Sequence, residues 1–383
     1  MIRVSNTYGI LNSLAIFFIL SNAILYLDTI PVLRWLFSGL RVLAFAYALA
    51  IAFPHLRFGR FTVCVGLFYL IAGFTTVIHS GSIHTWLANT INSLGIILLV
   101  YLSLTQSPKH TIRTLALFFD ICIYLNFFLT LLDPDGIFDG SYLLGLNRNT
   151  IGSTLFCGLV IHYFAYRMHE RGWLTFVLLA ATSIATTIIT ESMTSFVGCA
   201  LLTVFFFVPA KRIRKIILII FFAFYLVFQA FVVFIHGDIS TNKKATFFVE
   251  EVLHKDITFT NRIYVWSDSY DLIQRSPVTG YGMQDSEWFE LQVKVKSAHN
   301  IIYQVLICGG YILLGIFLMD IYMSVMRAIR QSSELTLFAL FSVCTLFFMM
   351  IMEAYNFLII FLILALTYYS FEFSKAIEID NEA

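Results

Sequence analysis

The sequence predicts an all-α polytopic integral membrane protein, and two observations carry this prediction. Hydrophobic residues make up 59% of the 383 residues and charged residues only 12%, with a mean hydropathy of +0.85. Such a composition excludes a soluble domain with an ordinary polar surface. The apolar segments are also about 20 residues long, the length that a helix needs to cross a membrane, and one long polar stretch, 237–299, interrupts them.

At about 20 apolar residues per crossing, the chain holds segments for twelve membrane spans, of which the seventh and eighth are short. The predicted spans are 10–28, 35–53, 61–78, 84–104, 112–132, 149–166, 173–190, 194–209, 213–235, 300–325, 335–352 and 354–372. The chain therefore divides into nine spans (1–236), an outer loop with short helices (237–299), and three further spans with a tail (300–383).

The basic residues are distributed unequally between the two ends of these spans. Fourteen of the 24 lysines and arginines lie on one side, seven lie in the polar loop, and the remaining short loops and span ends hold only Arg34, Arg41 and Arg148. Because cytoplasmic loops carry the excess of basic residues, we expect both termini in the cytoplasm and the polar loop outside. The first apolar segment has no convincing cleavage site, so it is interpreted as a retained span.

Several function classes are disfavoured. A net charge of +1 and the lack of a basic, aromatic-rich patch argue against nucleic acid as a partner. The cysteines and histidines show no metal-ligand spacing, so no metal or cofactor is expected. The segment Asp133–Gly136 imitates the acidic pair of metal-dependent nucleotide-sugar enzymes, but its Asp-Pro-Asp-Gly order favours a turn.

The polar loop contains one segment with helical periodicity. Within 260–274, apolar side chains recur at Ile263, Trp266, Tyr270 and Ile273. This spacing places all four on one face, which predicts a short helix.

A turn and a new span follow this helix. Pro277 ends the helix, and Gly280 and Gly282 supply a turn, since proline disfavours the helical conformation in its predecessor and glycine tolerates positive φ. The loop then closes at His299 and Asn300, immediately before the tenth span. We therefore expect His299 at the membrane surface, at the mouth of whatever the spans enclose.

Two arginines are candidates for binding an anion. Arg148, between Asn147 and Asn149 at the outer end of the sixth span, is either a snorkelling interfacial side chain or a fork of donors aimed at a phosphate. The two asparagines favour the second interpretation, because they suit neither lipid nor a helix interior. Arg262 is either a solvated charge or a second phosphate ligand. Two arginines that face one cavity could neutralise a diphosphate.

His299 is the strongest candidate for a catalytic base. An imidazole can take a proton from a hydroxyl near neutral pH, although an interfacial hydrogen bond is the alternative role. Glu191, beside Ser192, and Glu353 close outer span ends, and either line the same cavity or form structural hydrogen bonds between helices. If His299 is not the base, the search moves to Glu191, Glu353 or Asp28.

Two ionisable residues lie within predicted spans, where a charge is costly. Arg41 and Asp120 are therefore expected to face the bundle interior or each other. The pair Gly309 and Gly310 is expected to allow close packing of the tenth span against a neighbouring helix.

Five short motifs, taken in order, resemble those of the O-antigen ligase and polymerase superfamily of bacterial envelope glycan assembly. The motifs are Gly145–Gly152 (GLNRNTIG), Thr190–Ser195 (TESMTS), Arg262 with Trp266, Ser276–Gly282 (SPVTGYG), and Ser297–Asn300 (SAHN) followed by Gly309 and Gly310. The motifs cover about 140–325, and the topology covers the whole chain. Their order and their placement around one long outer loop carry the resemblance.

The resemblance implies a glycosyltransferase of the bacterial inner (plasma) membrane, with a GT-C-like architecture, no cofactor, and its active site on the extracytoplasmic face. A glycan on undecaprenyl diphosphate would be transferred to an acceptor hydroxyl. Arg148 and Arg262 would hold the lipid diphosphate, and His299 would activate the acceptor. The residues expected to bind substrate are Asn147, Asn149, Asn300, Glu191, Ser192, Glu353, Gly280 and Gly282.

Within this superfamily the sequence favours a repeat-unit polymerase, in which the growing chain is the donor and a fresh lipid-linked repeat unit is the acceptor. Many ligases show serine followed by arginine near Ser192, whereas this chain has Met193 and resembles capsule-type polymerases. Membrane lipid, a chain-length regulator and a flippase are the expected partners. The alternatives are a ligase that moves finished glycan to lipid A core or protein, and a flippase or exporter, which repeated, pseudo-symmetric halves would favour.

Overall fold

The computed structural model describes residues 6–53, 58–104, 107–137, 140–230, 262–331 and 333–382, and these residues form a helix bundle that contains no β-strand. The described residues contain fifteen α-helices. These are α1 (Asn6–Leu20), α2 (Pro31–Ala52), α3 (Arg60–Ile78), α4 (Ile83–Leu104), α5 (Pro108–Leu132), α6 (Ile151–Arg167), α7 (Trp173–Ile189), α8 (Met193–Phe207), α9 (Lys211–Phe228), α10 (Arg262–Arg275), α11 (Ser286–Val293), α12 (Ile301–Ile329), α13 (Glu334–Met352), α14 (Phe357–Tyr368) and α15 (Ser370–Glu382). The predicted all-α class is confirmed.

Each of the twelve predicted spans overlaps a helix, from α1 to α9 and from α12 to α14. Among the described residues six of these helices, α2, α3, α4, α5, α12 and α13, are long and apolar enough to cross a membrane, which is half of the predicted number. Helix α14 and the first part of α15, bent by 48°, make a seventh when the pair is counted as one span. Helices α7 and α8 are short, as predicted, with 17 and 15 residues. The first predicted span differs, because α1 ends at Leu20 and two 3₁₀ turns, Ser21–Ala23 and Leu25–Asp28, follow it.

Helix α14 lies at the centre of the bundle. All of its residues are buried, and it packs mainly against α4, α12 and α13. Close helix approach around it depends on small residues, as is usual between membrane helices. Gly152 leaves room for Ser195 where α6 meets α8, and Gly198 leaves room for Met349 where α8 meets α13. These contacts bring the helix ends that carry the candidate site together.

Helix α12 is interrupted at the predicted glycine pair. Gly309 and Gly310 leave the helical conformation, and Gly310 has φ 62° and ψ −161°, a combination that is essentially restricted to glycine. The turn 276–282 enters this break, where Tyr281 N–H donates to the Ile307 carbonyl at 2.7 Å and Tyr311 N–H donates to the Pro277 carbonyl at 2.8 Å. The glycine pair therefore makes room for the backbone of the loop turn, whereas close packing of this span against a neighbouring helix was predicted.

The break should be sensitive to a single methyl group. A Cβ at Gly310 would lie 2.2 Å from the Val278 carbonyl oxygen, so Gly310→Ala combines a clash with a left-handed backbone that costs an alanine about 1–3 kcal/mol by itself. We expect a lower melting temperature in detergent and loss of the detergent-stable monodisperse protein.

The matched control is Gly315→Ala in the same helix, where a Cβ would meet no atom within 4 Å. This variant should melt at or above the wild-type temperature, because alanine is the better helix former. Equal melting temperatures for the two variants would contradict the docking of the loop in the α12 break.

The predicted loop helix is present as α10. On the face that carries the four apolar residues, Trp266 and Ile273 are buried and Ile263 is half-buried, whereas Tyr270 is 41% exposed and the neighbouring Ser269 is buried. A second short helix, α11, lies in the second polar run of the loop, where short helices were predicted without bounds. Loop residues 237–261 lie outside the described part of the chain.

Arg41 and Asp120, the two charged residues predicted within spans, contact different protein groups. Arg41 is buried and its Nε donates to the Ser21 hydroxyl at 3.1 Å, whereas the Asp120 carboxylate lies 3.1 Å from both Arg171 Nη2 and His162 Nδ1. Both therefore face protein partners, but not each other. Asp133 begins the predicted turn, in which its carboxylate accepts from the Asp135 N–H at 3.2 Å.

Candidate functional site

The predicted site residues lie just outside helix ends that meet at one end of the bundle. Arg148 precedes α6, Glu191 precedes α8, and His299 precedes α12, while Glu353 follows α13 and Arg262 begins α10. Helices α6 and α8 pack against each other, and α13 packs against both α8 and α12. The amino-terminal ends of α6, α8, α10 and α12 thus lie in this region, and the positive ends of their helix dipoles favour an anion.

Glu353 joins two residues that the sequence places far apart. Its Oε2 lies 3.3 Å from Arg262 Nη2, and its Oε1 lies 3.0 Å from His299 Nδ1. The exposed fractions of the side chains are 6% for Glu353, 16% for Arg262 and 22% for His299. At this burial water only partly screens the charges of Arg262 and Glu353. We refer to Arg262, His299 and Glu353 as the Glu353 cluster.

Arg148 has a carboxylate partner in a more open setting. Its Nη1 lies 3.0 Å from Glu191 Oε2, and the two side chains are 56% and 79% exposed. An ion pair that is this exposed to water contributes little to stability, about 0–1 kcal/mol. The Arg148 guanidinium can therefore exchange Glu191 for another anion at small cost.

A buried polar contact lies between the Arg148–Glu191 pair and the Glu353 cluster. The hydroxyls of Ser192 and Ser195 lie 2.6 Å apart and both residues are fully buried. The buried Tyr355, two residues after Glu353, interacts electrostatically with Ser195, Glu353 and Arg262. Sequence reasoning missed Tyr355, and its only signal was its place two residues after Glu353, at the start of the predicted twelfth span.

Two of the candidate residues hold a left-handed backbone. His299 has φ 48° and Glu191 has φ 53°. For residues with a Cβ this conformation costs about 1–3 kcal/mol and persists only where neighbours impose it. At His299 the neighbours are Ser297, whose hydroxyl accepts the His299 N–H at 3.4 Å, and the buried Trp266, whose Nε1 donates to the His299 carbonyl at 3.5 Å. The imidazole is thereby aimed at Glu353.

Asn300 is buried and fixes the start of α12. Its Oδ1 accepts from the N–H groups of Ile302 at 3.0 Å and Tyr303 at 3.3 Å, which caps the helix. Its Nδ2 donates to Gln229 at 3.2 Å and to the Ile351 carbonyl at 3.4 Å. Asn300 therefore ties α12 to α13 and to the residue after α9, and it thereby positions the adjacent His299.

The two loop glycines lie against backbone. A Cβ at Gly280 would be 2.4 Å from the Ile307 carbonyl, and one at Gly282 would be 2.5 Å from the Cα of Thr76 in α3. Between them, Tyr281 donates its hydroxyl to the Leu272 carbonyl at 2.9 Å. Burial raises the pKa of Tyr281, which keeps this hydroxyl protonated as a donor. The substrate contacts predicted for the glycines stay a prediction.

The two asparagines beside Arg148 have different surroundings. Asn147 is exposed and its Oδ1 accepts from the N–H groups of Asn149 at 2.9 Å and Thr150 at 3.2 Å, which forms a turn before α6. The Asn149 side chain is half-buried. The turn fixes the backbone on both sides of Arg148, and the predicted binding of substrate by the two amides stays a prediction.

A second set of ion pairs lies at the opposite ends of the same helices. Arg167, at the end of α6, pairs with Glu334 at the start of α13, and Arg327, near the end of α12, pairs with Glu372 in α15. Among the described residues no group of three or more His, Cys, Asp or Glu side chains could hold a metal ion.

The helix bundle and this grouping of arginine, histidine and carboxylate side chains define a multi-pass, all-helical membrane protein with a polar site at one end. The family model for O-antigen ligase matches residues 174–318, from α7 into α12. This match confirms the resemblance predicted from the motifs and supports placing the chain in the O-antigen ligase and polymerase superfamily. No curated protein and no solved structure matches the chain.

Members of this family are glycosyltransferase-like enzymes that act on lipid-linked glycans. The matched range includes Glu191, Arg262 and His299, whereas Arg148 and Glu353 lie outside it and join the site through the contacts described above.

Proposed function

We propose that the protein is a polysaccharide repeat-unit polymerase. It transfers a growing glycan from undecaprenyl diphosphate to the terminal sugar of a lipid-linked repeat unit. The observation that carries this proposal is the Glu353 cluster, in which a cation suited to phosphate and an imidazole suited to proton transfer share one carboxylate. Arg148, at the same end of the bundle, supplies a second cation for a diphosphate.

In the proposed reaction a hydroxyl of the acceptor sugar attacks the anomeric carbon of the donor glycan. The proton of the hydroxyl passes to His299 Nε2, since Nδ1 faces Glu353. The bond between the anomeric carbon and the diphosphate oxygen breaks, and its electron pair leaves with undecaprenyl diphosphate. Arg262 and Arg148 stabilise the negative charge that develops on this leaving group.

The reaction is proposed for the extracytoplasmic face of the bacterial inner membrane, in a chain that crosses twelve times with both termini in the cytoplasm. Two observations support this orientation. The predicted site residues collect at one end of the bundle, and Arg167 and Arg327, which belong to the predicted cytoplasmic set, lie at the other ends of α6 and α12. Both substrates are lipid-anchored, so the membrane confines them to the plane of the site.

This orientation predicts opposite labelling of two exposed positions. Glu287→Cys in α11 should react with a membrane-impermeant maleimide applied to intact spheroplasts, and Arg330→Cys after α12 should react only once the membrane is opened. Five of the six native cysteines are buried and Cys344 is half-buried, which keeps the background low. The reverse pattern would place the site in the cytoplasm, away from its proposed substrates.

The second candidate is a ligase, which the description of the matching family model favours. Purified protein in liposomes distinguishes the two when it is given a polyprenyl-diphosphate-linked repeat unit, with and without a lipid A core acceptor. The polymerase gives a ladder of products that grows by one repeat unit without the core acceptor. Product that forms only with core acceptor, and without a ladder, would establish the ligase in its place.

A further inference from the structure

We propose that Glu353 is a positioning residue that couples donor binding to the basicity of His299, an inference that rests on the function proposed above. In the structure the Glu353 carboxylate faces both Arg262 and His299. When the lipid diphosphate binds Arg262, the Glu353 carboxylate interacts with His299 and no longer with Arg262. His299 then becomes an effective base only when a donor is present.

The geometry assigns one carboxylate oxygen to each partner. Oε2 faces the Arg262 guanidinium at 3.3 Å and Oε1 faces His299 Nδ1 at 3.0 Å. A guanidinium fork binds phosphate oxygens as well as carboxylate oxygens, so a diphosphate competes directly with Glu353 for Arg262. The same carboxylate fixes which imidazole nitrogen faces the substrate.

The direction of the coupling follows from the charges. A nearby cation disfavours the imidazolium that His299 becomes when it accepts a proton, and a nearby anion favours it. Diphosphate binding neutralises Arg262 and releases Glu353, and both changes stabilise the imidazolium. Two other charged or titratable groups interact with Glu353, namely Arg262 from α10 and Tyr355 from the segment after α13.

The chain contains a matched carboxylate for comparison. Glu191 also pairs with an arginine at this end of the bundle, but it is 79% exposed, and among the described residues its ion pair is with Arg148. Removing its charge should change donor binding at Arg148 and leave His299 unaffected. Glu353→Gln and Glu191→Gln therefore separate the proposed coupling from a general effect of a lost carboxylate.

The experiment uses the full-length protein in nanodiscs, with and without undecaprenyl diphosphate as the probe. Histidine-ring ¹⁵N spectra follow the protonation of His299, whose signal is assigned by its loss in His299→Gln. In the wild type, the midpoint of the His299 titration should rise by about one pH unit when the probe binds. In Glu353→Gln the His299 midpoint should lie lower than in the wild type, and the probe should raise it by less than half as much. In Glu191→Gln the His299 midpoint should match the wild type.

Kinetics and binding complete the test. Glu353→Gln should lower kcat roughly 10²-fold, with a donor KM and a Kd for undecaprenyl diphosphate that stay equal or fall, because a competitor for Arg262 is gone. Glu353→Asp keeps the charge on a shorter side chain, so its kcat should lie between that of the wild type and that of Glu353→Gln. Weaker probe binding with an unchanged His299 midpoint would overturn the proposal, because Glu353 would then only hold Arg262. If the wild type transfers no glycan, the proposed function fails, yet the midpoints and Kd values still decide the role of Glu353.

Discussion

His299→Gln is expected to abolish chain extension, with turnover lowered roughly 10²- to 10⁴-fold, the range that a positioned acid or base contributes. Glutamine occupies similar space but cannot take the acceptor proton. Binding of undecaprenyl diphosphate should persist, because the arginines supply it. The measurements are product length from lipid-linked repeat units and probe affinity for the same purified protein.

The control for this variant is His79→Gln. His79 follows α3, beside the loop turn, and its Nε2 lies 2.9 Å from the Thr279 hydroxyl, so the same substitution is made outside the Glu353 cluster. It should retain activity. Near-normal chain length from His299→Gln would make His299 a hydrogen-bonding anchor and move the search for a base to Glu191 and Glu353, since the Asp28 side chain lies outside the described residues.

Arg262→Lys is expected to lower kcat/KM roughly 10²-fold, the loss that follows removal of one donor to a developing anion. Lysine keeps the positive charge but loses the planar fork that can meet both a carboxylate and a phosphate. Because Arg262 is 16% exposed and Arg148 is 56% exposed, the same change at Arg148 should cost less. Substrate kinetics and the affinity for undecaprenyl diphosphate measure both effects.

Arg275→Lys is the matched control, since Arg275 ends the same helix and is exposed to solvent. It should behave as the wild type. Wild-type kinetics for both Arg262→Lys and Arg148→Lys, in protein that is expressed and inserted, would show that bidentate recognition of phosphate is wrong.

The helix pattern could be predicted from the sequence because it depends on local chemistry. Long apolar runs specify where helices lie, and Pro31 and Pro108 mark the first turns of α2 and α5. The short lengths of α7 and α8 could be predicted for the same reason. The sequence did not predict which side chains of α10 are buried, because tertiary contacts bury Ser269 and leave Tyr270 exposed.

The candidate site was predicted residue by residue but not as an arrangement. Arg262 and Glu353 are 91 positions apart, and no periodicity links them. Either carboxylate was equally consistent with a bond between helices, so the pairing of Glu353 with His299 could not be derived. The left-handed backbone of His299 could not be predicted either, since histidine, unlike glycine, does not indicate a positive φ.

The shortness of the α7–α8 hairpin has a consequence for the surrounding lipid. With 15 residues, α8 is roughly 22 Å long at 1.5 Å per residue, against a hydrocarbon core of about 30 Å. A hairpin of this length in the membrane favours local thinning of the bilayer, and apolar side chains such as Ile188 and Met193 are exposed near its tip, where lipid tails could cover them. Lipid head groups next to Glu191 would then lie deeper than elsewhere, so a membrane-anchored diphosphate would be lowered toward Arg148 by the shape of the bilayer itself.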